Sequence, residues 1–211
     1  MKLIARSMRP GLITATVLAA GAVAGILSLQ AQDKKETKKT AINEEEATKK
    51  WMEAATPGAA HKLLDAWAGS WELSCKMWMA PGAPPMESGG TATAAWILEG
   101  RFMEMNFKTT MMGMPFEGRA ITGYNNIRKT YQSFWVDNMG TAMTISSGKV
   151  SDDGKTFTHE AKMDDPMTGK MDNTYRFIER VVSKDEIHQE IHDLSLGKDS
   201  KMMETTYKRK K

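Results

Sequence analysis

The chain has 211 residues, 41% of them hydrophobic, enough for one globular domain with a sizeable core. Its formal charge of +3 misleads: three of the 29 basic residues, Lys2, Arg6 and Arg9, lie near the start, and the remaining 26 balance 26 acidic ones. A neutral body gives no footprint of nucleic-acid binding, and a single cysteine, Cys75, excludes an intrachain disulfide.

Residues 1–31 read as a secretory signal peptide. Lys2, Arg6 and Arg9 form a basic start, Leu12 to Leu29 carries no charge, and Ala31 offers a small residue for cleavage. The uncharged stretch approaches the length that spans a bilayer, so an uncleaved membrane anchor is the alternative. Either way the barrel is expected outside the cytoplasm, periplasmic or extracellular, with membrane contact only through an uncleaved leader. Residues 32–56 form a charged linker, rich in Lys and Glu from Lys34 to Lys39. Within it, Asn43 followed by Glu46 resembles a capping box and predicts a short helix over Glu44 to Ala55, with Trp51 and Met52 as its apolar anchors. Pro57-Gly58 ends it.

The domain proper spans 57–211. His61 to Trp67 predicts a two-turn amphipathic helix with Leu63, Leu64 and Trp67 on one side. Gly69 breaks it. Ten runs of strand character follow: Trp71–Met79, Gly90–Leu98, Arg101–Thr109, Phe116–Tyr124, Tyr131–Asp137, Thr141–Val150, Thr156–Met163, Met171–Val181, Glu186–Leu194 and Lys201–Arg209. The turns between them carry suitable residues, such as Asn125-Asn126, Asp152-Asp153-Gly154 and Lys184-Asp185. No helix-length pattern separates the strands, so the sheet is an antiparallel meander. The fold class predicted is all-β, a ten-stranded antiparallel barrel preceded by a short helix.

Alternation assigns an inward face to several strands. Trp71, Leu73, Cys75, Met77 and Met79 share one, as do Met103, Met105 and Phe107. So do Phe157, His159, Ala161 and Met163; Ile187 and Ile191; and Met203, Thr205, Tyr207 and Arg209. The fourth and fifth strands do not sort. Glu117, Arg119 and Ile121 share one side of the fourth, and Tyr131, Ser133, Trp135 and Asp137 one side of the fifth, which suggests a partly polar interior.

The run Gly69-Ser70-Trp71, after a helical turn and before the first strand, resembles the start of lipocalins and other calycins. That resemblance implies that Trp71 plugs one barrel end and that a basic residue of the last strand packs on it; face parity makes this Arg209, and Gly69, Trp71 and Arg209 form the closure. A closer resemblance is to the bacterial family known as domain of unknown function 1579. It rests on Pro57-Gly58 to His61, Gly69-Ser70-Trp71, Gly100-Arg101-Phe102, Met111-Met112-Gly113-Met114-Pro115-Phe116-Glu117-Gly118, Gly123-Tyr124-Asn125, Trp135-Val136-Asp137, Asp164 to Gly169 and Thr206-Tyr207-Lys208-Arg209. It implies a lipocalin-like barrel and no established reaction. Asn125 stands where that family often has Asp.

No hydrolase, phosphate-loop or His-Glu-x-x-His motif is present. His188 and His192 lie ~13 Å apart along the outer face of one strand, too far to share a metal. Inward-facing His159 has the chemistry of a haem axial ligand or of a hydrogen-bonded core histidine; the second needs no cofactor, and none is assigned. The eighteen Met residues are adaptable core filler, with Cu(I) thioether binding as the other reading. The Asp164 to Gly169 segment has too few carboxylates for calcium and reads as a capped turn. The leading expectation is a small apolar or amphipathic ligand held by Met77, Met103, Met105, Trp135, His159 and Tyr175, with Met111–Phe116 as an apolar loop at the mouth. The rivals are an enzyme built on Glu117, Arg119, Tyr124 and Asp137, and a filled structural barrel. Ligand identity and oligomeric state are left open.

Overall fold

The computed structural model describes residues 43–197 and 201–211. The expected signal segment and the first part of the linker lie outside the described residues. Helix α1 spans Glu44–Ala55, and Asn43 caps it by accepting a hydrogen bond from the Glu45 amide at 3.1 Å. Trp51 and Met52 do not anchor it; both are exposed. Its C-terminal end is held instead by the Asn126 amide, which donates to the carbonyls of Ala54 and Thr56 at 3.1 and 2.8 Å.

Ten antiparallel strands close into a barrel: β1 (Gly69–Met77), β2 (Met86–Ile97), β3 (Phe102–Met111), β4 (Met114–Asn125), β5 (Thr130–Asp137), β6 (Thr144–Val150), β7 (Thr156–Met163), β8 (Asn173–Ser183), β9 (Glu186–Asp193) and β10 (Lys201–Arg209). Each strand pairs with its sequence neighbours, and β10 closes on β1 with Trp71 opposite Arg209 and Met77 opposite Met203. Closure leaves no free sheet edge. The expected first strand runs too far: β1 ends at Met77, and Met79 is exposed in the turn beyond.

The predicted two-turn helix is a single α turn, α2 (Ala59–Lys62), followed by a 3-10 turn over Leu63–Trp67. The tighter three-residue period changes the buried face to His61, Leu64 and Trp67 and leaves Leu63 exposed. This segment plugs one end of the barrel. Trp71 is fully buried beneath it and donates its indole N–H to the Trp67 carbonyl at 2.8 Å. Trp67 meets Tyr207 edge to face at 5.4 Å, and the Tyr131 hydroxyl donates to the Ala60 carbonyl at 2.7 Å. The Arg209 guanidinium lies 4.1 Å from the centre of the Trp71 ring and donates to the carbonyls of Ala66, Ala68 and Lys184. Gly69 sits at φ 122, and a Cβ there would lie 2.6 Å from the guanidinium. Glycine is therefore required both by the backbone turn and by the arginine.

Candidate functional site

Above the plug the barrel is hollow. A cavity of about 770 Å³ opens at the end away from Trp71, with Leu64 and Trp67 at its floor. Strands β1, β3, β4 and β5 supply an apolar wall that includes Leu73, Met77, Met103, Met105, Phe107, Phe116 and Trp135. Met86, Met111, Met112, Met139 and Met163 lie around its open end.

Trp135 is held in place by its neighbours. Its indole N–H donates to Asp137 at 2.7 Å; Phe107 meets it edge to face at 5.1 Å, and Phe116 stacks on it at 6.2 Å. The ring packs directly against Gly118, where a Cβ would come within 2.3 Å of it. This settles the two strands that alternation left open. Phe116, Gly118, Ala120, Thr122 and Tyr124 share the inner side of β4, and Tyr131, Ser133, Trp135 and Asp137 that of β5.

The polar cluster suggested by the sequence does not assemble. Glu117 and Arg119 point outward, Glu117 to Lys108 at 3.1 Å and Arg119 to Asn106 and Glu104 at 3.1 and 3.6 Å. Tyr124 belongs to the plugged end, against Tyr131 and His61. Only Asp137 of the four lines the cavity. Met111–Phe116 is not a free loop either. β3 and β4 run through it, joined by the two-residue turn Met112-Gly113, with φ of 50 and 77. Phe116 is a buried strand residue.

The remaining six residues expected at a ligand, Met77, Met103, Met105, Trp135, His159 and Tyr175, all line the cavity. His159 does so as part of a wider polar chain that sequence reasoning missed. From β6 to β10, each strand contributes one member: Ser146, His159, Glu179, Gln189 and Tyr207. Ser146 Oγ lies 3.3 Å from His159 Nδ1, and His159 Nε2 lies 2.9 Å from Glu179 Oε2. The Gln189 amide donates to Glu179 Oε1 at 3.0 Å, and the Tyr207 hydroxyl donates to Gln189 Oε1 at 3.1 Å. Burial alone would lower the His159 pKa, but the charge and hydrogen bond of Glu179 outweigh it and hold the imidazole above its ordinary value. Burial would likewise raise Glu179, but His159 and the Gln189 hydrogen bond hold the carboxyl below its ordinary value. The 14% of the Glu179 side chain that stays accessible belongs to a residue of the cavity wall.

With both imidazole nitrogens engaged, His159 has no lone pair free for an axial metal bond in this arrangement. Cys75, also on the wall, accepts a hydrogen bond from Thr205 at 3.6 Å, and burial pushes its thiol pKa up, opposite to an activated nucleophile. His188 and His192 lie outside, beside Glu186 and Glu190.

Residues 56–209 match the family described as "Protein of unknown function (DUF1579)". The chain belongs to this family. Curated proteins give no match. Among solved structures, Rv2717c from M. tuberculosis superposes with a TM-score of 0.54 at 16% identity, over 74% of this chain and 100% of that one. The S-type phycobiliprotein lyase CPES from Guillardia theta superposes with a TM-score of 0.51 at 10% identity, over 76% of this chain and 97% of that one. At such identities the likeness is one of fold. For this DUF1579 member, the chemistry of the site has to be read from its own residues.

Proposed function

We propose that this DUF1579 barrel is a binding module for a small apolar or amphipathic molecule. The observation that carries the reading is the cavity of about 770 Å³ inside an otherwise closed barrel. A volume of that size fits a small-molecule site lined mostly by apolar side chains with a few fixed polar groups. Enclosure supplies ~25 cal/mol per Å² of apolar surface, so a ligand burying a few hundred Å² reaches micromolar affinity after the costs of association. Methionines on the wall can repack around different shapes.

The test has two arms. Native mass spectrometry of protein purified from its own host reports any molecule that travels with it. Titration with fatty acids, quinones, retinoid-like probes and haem, followed by tryptophan emission, reports binding beside Trp67 and Trp135, both of which line the cavity. Saturable binding supports the reading. The absence of any bound mass and of any saturable change leaves a structural barrel. The uncharged stretch behind Lys2, Arg6 and Arg9 supports export of this module. N-terminal sequencing that starts near residue 32 is the outcome expected for a cleaved leader; a start at Met1 or Lys2 in a membrane fraction makes it an anchor.

A further inference from the structure

The polar groups of the cavity wall bear on what enters it. The hydrogen-bonded chain lies on β6–β10 among apolar residues such as Phe157, Phe177 and Ile191, and the Met and aromatic side chains of β1–β5 are interrupted by Thr122, Ser133 and Asp137. Within that chain both oxygens of Glu179 already accept, one from His159 and one from Gln189, while the Tyr207 hydroxyl donates to Gln189. His159 bridges Ser146 and Glu179 with its two ring nitrogens. Among the described residues, no Lys or Arg lines the cavity. Three carboxylates do: Glu179 on the wall, Asp137, whose oxygens accept from the Trp135 indole and the Met139 amide, and Glu87. Glu87, at the edge, is largely exposed and lies 3.9 Å from Lys76.

A carboxylate ligand would thus meet carboxylates and no uncommitted cation, in a setting where like charges are costly. An ammonium would give up its water shell for carboxylates that already serve other donors, His159 and Gln189 on Glu179 and the Trp135 indole and Met139 amide on Asp137, which weakens their pull on it. Short hydroxyls of the wall keep spare capacity: Thr122 and Ser133 are bonded to each other, and Ser146 is the one bonded to the buried pair. Ser146 is buried, lines the cavity and has a single partner, His159, so its hydroxyl can still donate or accept once.

Resting on the binding reading above, we infer that the ligand is an uncharged, oxygen-bearing amphiphile. Its carbonyl or hydroxyl head is hydrogen-bonded to Ser146, and its hydrocarbon body lies against Met103, Met105 and Phe107. Long-chain alcohols, esters, ketones and quinones belong to this class; free fatty acids and alkylamines do not.

The test is a matched series titrated into the full chain at neutral pH: tetradecanol, methyl tetradecanoate, tetradecanoate and tetradecylammonium, followed by tryptophan emission and calorimetry. The two neutral members are expected to bind about tenfold or more tighter than the ions. Ser146→Ala is expected to weaken the neutral members about fivefold, the value of one hydrogen bond, and to leave the ions unchanged. Glu179→Gln is expected to narrow the gap between ester and carboxylate. Tetradecanoate binding as tightly as the ester overturns the charge argument while the binding module stands. Neutral ligands indifferent to Ser146→Ala overturn the head-group position in the same way. Failure of all four to bind overturns this inference, and the binding reading falls with it only if the host-purified protein carries no bound mass and the wider panel gives no saturable change.

Discussion

Arg209 tests the account of how the barrel is closed. Its guanidinium stacks on Trp71 at 4.1 Å, donates to Ala66 at 2.9 Å and to Ala68, and reaches the Lys184 carbonyl at 2.8 Å. It thereby joins the plug, the first strand and the turn after β8. Arg209→Lys keeps the charge but loses the planar fork and the flat stack. If two carbonyl bonds are lost at about 1.5 kcal/mol each, with partial recovery by water, and the stack contributes about 1 kcal/mol, the cost is about 2–4 kcal/mol. Arg209→Ala should cost about 3–5 kcal/mol, since it also removes the packed stem. Gly69→Ala adds backbone strain at φ 122 and pushes on the same guanidinium. The two sites should therefore couple, the double variant Gly69→Ala/Arg209→Ala costing less than the sum of the singles. Urea unfolding followed by tryptophan emission measures all of these. An Arg209→Lys protein within about 0.5 kcal/mol of wild type, together with strict additivity, would refute the clamp.

The buried His159–Glu179 pair makes stability depend on pH on both sides. The raised His159 contribution is complete below its unfolded value of 6.5 and is lost as pH rises through its folded value. The lowered Glu179 contribution is complete above 4.5 and is lost as pH falls through its folded value. Melting temperatures across this range should show wild type exceeding Glu179→Gln most between those limits, and a constant offset would contradict the pairing. Met112, a non-glycine residue at φ 50 in a two-residue hairpin turn, should be improved by Met112→Asn by about 1 kcal/mol, seen as a melting point about 2–4 °C higher. Gly118→Ala drives a Cβ into Trp135 and should cost about 1–3 kcal/mol with a shift in tryptophan emission; unchanged emission would place the ring elsewhere.

What the sequence makes legible follows from which side chains carry hydropathy. β1, β3, β7 and β10 place large apolar residues inward against polar ones, so their faces can be read directly. β4 fails that test because Gly118 and Ala120 point inward and carry almost no signal, while Ile121 sits on the outer side. β5 is ambiguous because Phe134 and Val136 lie on its outer side. The Met112-Gly113 turn lacks the usual Asn or Asp and so resembles a loose apolar loop. The polar chain was within reach at one position: Gln189 lies between Ile187 and Ile191 on the inward parity of β9. A glutamine there is a polar group in a core, which demands a partner. Glu179 shares the parity of Tyr175 and Phe177, but that face is hidden by a strand with no clean alternation.

The hollow itself has a cause in the sequence. Near the plug, inward positions pair one large ring with one small residue: Trp71 stands opposite Ala92, with Tyr131, Phe157 and Tyr207 filling the rest of that layer. Interdigitation of that kind reaches close packing. Higher up, small and short polar residues follow one another across adjacent strands. Thr122 of β4 stands opposite Ser133 of β5, which stands opposite Ser146 of β6, and all three line the cavity. Three short side chains in a row cannot reach across a ten-stranded barrel, so the core ends where they begin. The hollow that these short residues leave borders the His159–Glu179 pair, which a filled core would surround with carbon at a cost of several kcal/mol. The small residues of β4–β6 and the ion pair of β7–β8 are therefore parts of one arrangement, in which the space and the polar group that faces it depend on each other.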